Sequence, residues 1–182
     1  MRTLVITGAA WLGGAGRFVR LDVTSAQSVA ALLRTVQAHH PSIDILVNVA
    51  GWSKVERFAD TAPELWQRLI ELNYVGTLNV THAFLPQLTS RPAGKIVNVA
   101  SDAGRVGSLG ETVYSGAKGG VIAFTKGLAR ELARYNITVN CVCPGPTDTP
   151  LMAAVPDKIK EAFERVTPMR RVAKPHEIAD AI

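Results

Sequence analysis

Long apolar runs are absent from this chain: nowhere do about 18 apolar residues follow one another, the approximate minimum for a membrane-spanning helix. The charge-free stretch between Arg2 and Arg17 holds only the short run Leu4, Val5, Ile6 before turning glycine-rich, too little for the hydrophobic region of a secretion signal. A membrane partner and export are thereby set aside, and a soluble cytoplasmic protein is expected. Cysteine is scarce. Cys141 and Cys143 stand two apart in a strand-like stretch, which puts their Cα atoms about 6.6 Å apart with parallel side chains. That spacing is poor disulfide geometry, so two reduced, packed thiols are expected. No Cys/His/Asp cluster has metal-ligand spacing, since His82 and His176 are alone and His39-His40 precede Pro41 at a helix end. No metal is expected. The hydrolase elbow Gly-x-Ser-x-Gly does not occur either. Twenty Lys and Arg against fifteen Asp and Glu leave +5, but the basic residues are scattered, so no nucleic-acid partner is expected.

What is present is a core. Of 182 residues 47% are hydrophobic and 19% charged, the balance of a globular protein, and the length suits one domain over 1–182. Runs rich in Val, Ile and Leu at Thr3–Thr7, Phe18–Val23, Ile43–Val49, Lys95–Ser101 and Ile137–Cys143 read as strands buried on both faces. Helical patterns occupy Ala26–Gln37, Glu64–Leu88, Tyr114–Tyr135, Asp157–Val166 and Pro175–Ala181, with Thr61 and Glu64 forming a capping-box signature before the second. Strand and helix in alternation predict an α/β fold: a doubly wound parallel sheet, Rossmann-like, in three α/β/α layers.

One junction breaks the pattern. Only ten residues, Gly8 to Arg17, separate the first two strand candidates, whereas a parallel crossover needs at least about 10–12 including its helix. Gly13, Gly14 and Gly16 look like a loop feeding the second run. Something is therefore missing at this junction.

Chemistry enters through spacing. Tyr114 and Lys118, in the pattern Tyr-x-x-x-Lys, project from one helix face about a turn apart. A free phenol has a pKa of about 10, and a fixed ammonium nearby is expected to lower it, making an acid/base for an alcohol or ketone oxygen. Ser101 ends the strand Ile96–Ala100 at the carboxyl edge, where open α/β sheets bind ligands. Asn48-Val49-Ala50-Gly51 and Pro144-Gly145-Pro146-Thr147-Asp148-Thr149 end two further strands, and Thr7-Gly8 opens a tight turn after the first.

With these residues together, the chain resembles the short-chain dehydrogenase/reductase family. Thr7-Gly8, Asp22-Val23, Asn48 through Gly51, Asn73, Ser101 placed 13 positions before Tyr114, Lys118, and Pro144-Gly145 with Thr149 carry the resemblance. Val49 departs from the usual Asn-Asn-Ala-Gly, and Leu12 stands where the glycine turn has its middle glycine. The resemblance implies Tyr114 as general acid/base, Lys118 tuning it and binding nicotinamide ribose, Ser101 orienting the substrate oxygen, and Asn73 holding a water that links Lys118 to solvent. It also implies cofactor contacts at Thr7, Gly8, Asp22, Val23, Asn48, Ala50, Gly51, Pro144, Gly145, Thr147 and Thr149. From the residues alone, Asn48 reads equally as an amide bridging strands, and Asn73 as a helix-bending asparagine.

The implied cofactor is NAD or NADP, because the discriminating residue normally follows a second strand that is missing here. The family further implies that residues are omitted between Ala10 and Trp11, with Trp11-Leu12 the tail of a lost helix. It also implies a last strand beyond Ile182, and a homotetramer or homodimer formed through the long helices. The implied reaction is hydride transfer between nicotinamide and a secondary alcohol or ketone, with Trp52, the stretch Asp102–Val113, Leu151, Met152 and Val155 around a small-molecule substrate. The branch suggested is that acting on hydroxyacyl-CoA or cyclic hydroxyacyl-CoA thioesters. Arg105 reads as a solvated surface residue and Trp66 as packing. The alternative function is a shortened, non-catalytic relative serving as a binding or assembly module.

Overall fold

The structure is a computed structural model that describes residues 3–8, 17–40, 42–90, 93–153 and 155–182. Among them, strands β1 (Leu4–Thr7), β2 (Ile45–Asn48), β3 (Lys95–Val99) and β4 (Thr138–Val142) form one parallel sheet in chain order. Helix α1 (Ala26–His39) links β1 to β2, and α2 (Pro63–Ile70) and α3 (Gly76–Thr89) link β2 to β3. Short α4 (Ala103–Val106) and long α5 (Thr112–Leu132) lead to β4, after which come α6 (Pro150–Ala153), α7 (Asp157–Val166) and α8 (Pro175–Ala179). The expected Rossmann-like α/β architecture, a parallel sheet with flanking helices, is what forms.

Alternation along the strands sorts the sheet into rungs. Val5, Leu46, Ile96 and Val139 lie in register across it, all buried. Val29 and Leu32 of α1, Val80, Phe84 and Leu88 of α3, and Leu128 and Leu132 of α5 complete that core. Burying one such side chain contributes about 1.5–3 kcal/mol, so this face holds the fold. On the strand positions between, Leu4, Ile6, Ile45 and Val47 instead line a cleft that residues of α7 and α8 also border.

Three expectations need correction. Phe18–Val23 is not a strand. Arg20 and Asp22 interrupt its apolar run, Phe18 and Val19 are exposed, and among the described residues no strand pairs with it. Its end turns into α1 instead: the Asp22 carboxylate accepts from Thr24 N (2.9 Å) and Thr24 Oγ1 (2.7 Å), and Ser25 Oγ caps Ser28 N (3.2 Å). The first and second described strands are thus β1 and β2, which pair in parallel with α1 before β2 in the chain. The capping box at Thr61 and Glu64 does not form either, because the N-cap of α2 is Ala62 without a side-chain bond. Thr61 Oγ1 donates to Phe58 O (2.7 Å) and accepts from Trp66 Nε1 (2.6 Å). Finally, the helix expected over Glu64–Leu88 is interrupted by a π-helical turn, Glu71–Val75, with Asn73 at its centre. The expected omission between Ala10 and Trp11, and the roles of Leu12, Gly13, Gly14 and Gly16, lie outside the described residues.

Candidate active site

The carboxyl ends of the strands open onto a cleft of about 960 Å³ lined by Ser101, Tyr114, Lys118, Gly51, Gly145 and Thr149 among others. Ser101 leaves β3 and accepts from Ala103 N (3.2 Å), which starts the turn into α4. Gly104 in that turn lies so close to α5 that a Cβ would stand 2.7 Å from the Lys118 carbonyl carbon. Close packing of α4 on α5 therefore brings Ser101 to Tyr114 and Lys118, as the 13-residue spacing implied. Lys118 is 4% exposed, its Nζ donating to Val99 O (2.9 Å) and lying 5.8 Å from the centre of the Tyr114 ring.

Burial governs both titrating groups. It lowers Lys118 to about 8, against an opposing pull from Cys141 and Cys143. The phenol of Tyr114 is likewise raised above its usual value, first by burial and further by the negative Glu111, with a hydrogen bond from Ser101 working the other way. The expected lowering by Lys118 is thus overturned in the protein on its own, because desolvation of the phenolate outweighs an ammonium set back from the ring.

Asn73 is fully buried and its amide is fully engaged. Its Oδ1 accepts from Trp52 N (3.1 Å), and its Nδ2 donates to Trp52 O (2.7 Å) and Leu69 O (2.9 Å). By satisfying a helix carbonyl with a side chain it accounts for the π turn, and it fixes the 50–52 segment beside Lys118. A Cβ on Gly51 would lie 2.8 Å from Asn73 Oδ1 and 3.2 Å from Lys118 Nζ. Asn48 takes the bridging role, its Nδ2 donating to Thr81 Oγ1 (3.0 Å) and Asn98 Oδ1 (2.8 Å) rather than reaching the cleft. Thr7 Oγ1 accepts from Val49 N (3.1 Å) and Ala50 N (3.2 Å), and Gly8 adopts φ +76° against the Ala50 backbone.

The remaining expected contacts are spread more widely. Asp22 is exposed and tied to Thr24, while Val23 is buried with its carbonyl accepting from Asn79 Nδ2 (3.0 Å). Pro144, Gly145, Thr147 and Thr149 all line the cleft. Trp52 does not line it, because the Arg68 guanidinium covers its ring at 4.5 Å. Asp102, Ala103, Val106, Leu151, Met152 and Val155 do. Arg105 is an exposed residue paired with Asp102 (3.3 Å), and Trp66 stacks on Phe58 at 5.2 Å, both as expected. Cys141 and Cys143 are free thiols. Sequence reasoning missed Glu111, which bridges Ser53 and Ser108 at the cleft wall and whose only signal was its place three residues before Tyr114.

A dinucleotide fits the nicotinamide end of this site. Lys118 has one hydrogen bond among the described residues, so its other N–H groups are left for the diol of a ribose in the cleft it lines. The hydroxyls of Ser101, Tyr114 and Thr149 stand along the same cleft, and a Cβ on Gly145 would meet nothing within 4 Å.

Residues 5–160 match the family model described as short chain dehydrogenase. The chain belongs to that family and is an oxidoreductase of its NAD(P)-dependent type. It is 38% identical over 180 residues to nodulation protein G of Azospirillum brasilense, covering 96% of this chain and 73% of that protein. Acetoacetyl-CoA reductase of an Acinetobacter species is 36% identical over 166 residues, covering 91% and 67%. A variant of actinorhodin polyketide ketoreductase, crystallised with NADPH, superimposes with a TM-score of 0.82 at 36% identity, covering 88% of this chain and 67% of that one. Among the described residues no helix is long and apolar enough to cross a membrane, and no group of His, Cys, Asp and Glu is placed to hold a metal.

Proposed function

We propose that this chain, as one domain, interconverts a ketone and a secondary alcohol on a 3-oxoacyl or 3-hydroxyacyl thioester. The observation that carries this reading is the convergence of Ser101, Tyr114 and Lys118 on one largely apolar cleft at the carboxyl edge of the sheet. The names of two relatives, acetoacetyl-CoA reductase and polyketide ketoreductase, favour the acyl-thioester class. Apolar Leu151, Met152 and Val155, which line the same cleft, suit an acyl chain.

The roles follow from the groups. NAD or NADP, held by Lys118 at its ribose and by the Gly145–Thr149 segment at its nicotinamide, supplies or accepts the hydride when bound. Ser101 donates a hydrogen bond to the substrate carbonyl oxygen and orients it. Tyr114, protonated at neutral pH, gives its phenolic proton to that oxygen in reduction and takes it back in oxidation. Lys118, with its ammonium near neutrality, restores the proton to the phenol. Asn73 acts by fixing Gly51 and Trp52, not by touching the substrate. A homotetramer or homodimer paired through the helical stretches Glu64–Leu88 and Tyr114–Tyr135, in the cytoplasm, accompanies this reading.

The test is oxidation of NADH or NADPH by acetoacetyl-CoA, followed by absorbance. Tyr114→Phe should abolish turnover while cofactor binding, read by nicotinamide fluorescence, survives. Turnover retained in Tyr114→Phe would remove the assigned acid. Binding without turnover in the parent chain would favour the non-catalytic module.

A further inference from the structure

We propose that Glu111 is a positioning residue for the reaction at Tyr114, bracing the two cleft walls on either side of the phenol. The inference rests on the ketone-reductase reading above. Glu111 is the N-cap of α5, and its side chain makes no capping bond. Ser, Thr, Asp and Asn are the usual side-chain caps at that position, and the longer glutamate is not one of them. Here the carboxylate is turned sideways: Ser53 Oγ donates to Oε1 (2.5 Å) and Ser108 Oγ donates to Oε2 (2.7 Å). The two serines come from the segment after β2 and from the turn after α4, separate walls of one cleft.

Further bonds stiffen the same bridge. Glu56 N donates to Gly110 O (2.8 Å), Ser108 N donates to Ser115 Oγ (3.1 Å), and Ser115 N donates to Glu111 O (2.7 Å). Gly110 holds φ +76°, and a Cβ there would meet Val55 Cγ1 at 3.0 Å, so the crossing is close. Tyr114 leaves α5 one turn later, which makes the braced turn the base on which the phenol stands.

The charge has a consequence of its own. Lys118, Ser101 and Glu111 act on or approach the phenol, while the segments bordering the cleft also carry the exposed Asp102–Arg105 pair after β3, the thiols of Cys141 and Cys143 on and after β4, Asp148 further along, and the mutually paired Lys54 and Glu56 after β2. Of these carboxylates, Glu111 is the one that acts on the phenol, disfavouring the phenolate. Glu111 thereby adds to burial in keeping the phenol protonated, and a neutral isostere would move the pH dependence of catalysis in both directions toward lower pH.

The experiment titrates Tyr114 in the protein by ultraviolet difference absorbance, taking Tyr114→Phe as the blank for Tyr74 and Tyr135. Glu111→Gln, which keeps the shape, should bring the phenol's midpoint to lower pH, and Glu111→Asp should leave it near the parent. The pH profile of alcohol oxidation should move the same way. Ser53→Ala and Ser108→Ala, should Glu111→Gln not fold, are expected each to raise KM about fivefold with kcat nearly unchanged, the loss of about one hydrogen bond. A Glu111→Gln midpoint that coincides with the parent overturns the inference even if turnover is normal. Where Glu111→Gln does not fold, an unchanged KM in both serine variants overturns it. Turnover that survives in Tyr114→Phe overturns the proposed function instead, and the titration still decides the place of Glu111.

Discussion

Replacing Lys118 by Met should make the stability of this protein respond differently to pH, by an amount the burial of the ammonium determines. Methionine has a similar reach, no charge and no proton to lose. Lys118 titrates at about 8 in the folded chain against 10.5 as the ordinary value, because it is 4% exposed and its burial outweighs the opposing pull of Cys141 and Cys143. The sign follows from proton counting: between these two pH values the unfolded chain holds the proton and the folded chain has shed it, so stability rises with pH across that window. Below pH 8 both forms are charged and the full desolvation penalty is present. From pH 7 to pH 10 the gain is about 2.5 kcal/mol in the parent and absent in Lys118→Met. Urea unfolding followed by tryptophan fluorescence at pH 7, 8, 9 and 10 measures both curves. Each carries the same contributions from the other titrating groups, so their difference isolates Lys118. The loss of the bond to Val99 O adds a constant offset of about 1 kcal/mol without slope. Two parallel curves would refute the reasoning, because an ammonium that keeps its ordinary affinity for protons is not desolvated, and its proposed role in proton return would fall with it.

Other perturbations probe the frame around the site. Asn73→Ala removes three hydrogen bonds and leaves a buried Leu69 carbonyl and the partly buried Trp52 amide and carbonyl without partners, so urea unfolding should show a loss of about 2–3 kcal/mol; a loss below about 0.5 kcal/mol would count against the clamp. Gly8→Ala forces a side chain onto φ +76° with its Cβ 2.9 Å from Ala50 Cα and N, and thermal unfolding should register a cost of at least about 1–3 kcal/mol. A variant as stable as the parent would mean that the turn after β1 can relax away from β2.

Much of the fold was legible because its signals are local. Runs of β-branched residues identified all of the described strands to within a few residues, and α7 follows the predicted Asp157–Val166 to the residue. The same signal misled at Phe18–Val23, where hydrophobicity was read without a pairing partner and the run proved to be an extended lead into α1. Of the candidate site, Ser101, Tyr114 and Lys118 were legible through spacing and strand-end position. The direction of the Tyr114 shift was not, because desolvation depends on what α4 and the loops bring over the phenol. Nor was the π turn, at whose centre Asn73 donates back to the helix carbonyl of Leu69 and across to Trp52 in a different segment. Glu111 was hidden for the same reason, its two serines lying 58 residues upstream and three residues upstream.

The polar rung of the sheet links these observations. One pleat beyond the apolar rung, Thr7, Asn48, Asn98 and Cys141 lie in register, and all but the thiol are nearly inaccessible. A sheet held by hydrophobic burial alone would be served as well by leucine and valine there, since a buried hydrogen bond returns only about 1 kcal/mol net. What these side chains add is registration. Asn48 ties β2 to Thr81 of α3 and to Asn98, and Asn98 Nδ2 donates to Thr125 Oγ1 (2.9 Å), tying β3 to α5. Thr7 in turn holds the amides that lead into Gly51. Helix α5 carries Tyr114 and Lys118, β3 delivers Ser101, and β2 delivers Gly51, so the rung sets the relative positions of every group that meets in the cleft. A slip of one residue in any of these pairings would turn the polar side chains to the opposite face and move Ser101 away from the phenol. The rung is therefore the part of the core that specifies the site, and the apolar rung beside it is the part that holds the chain folded.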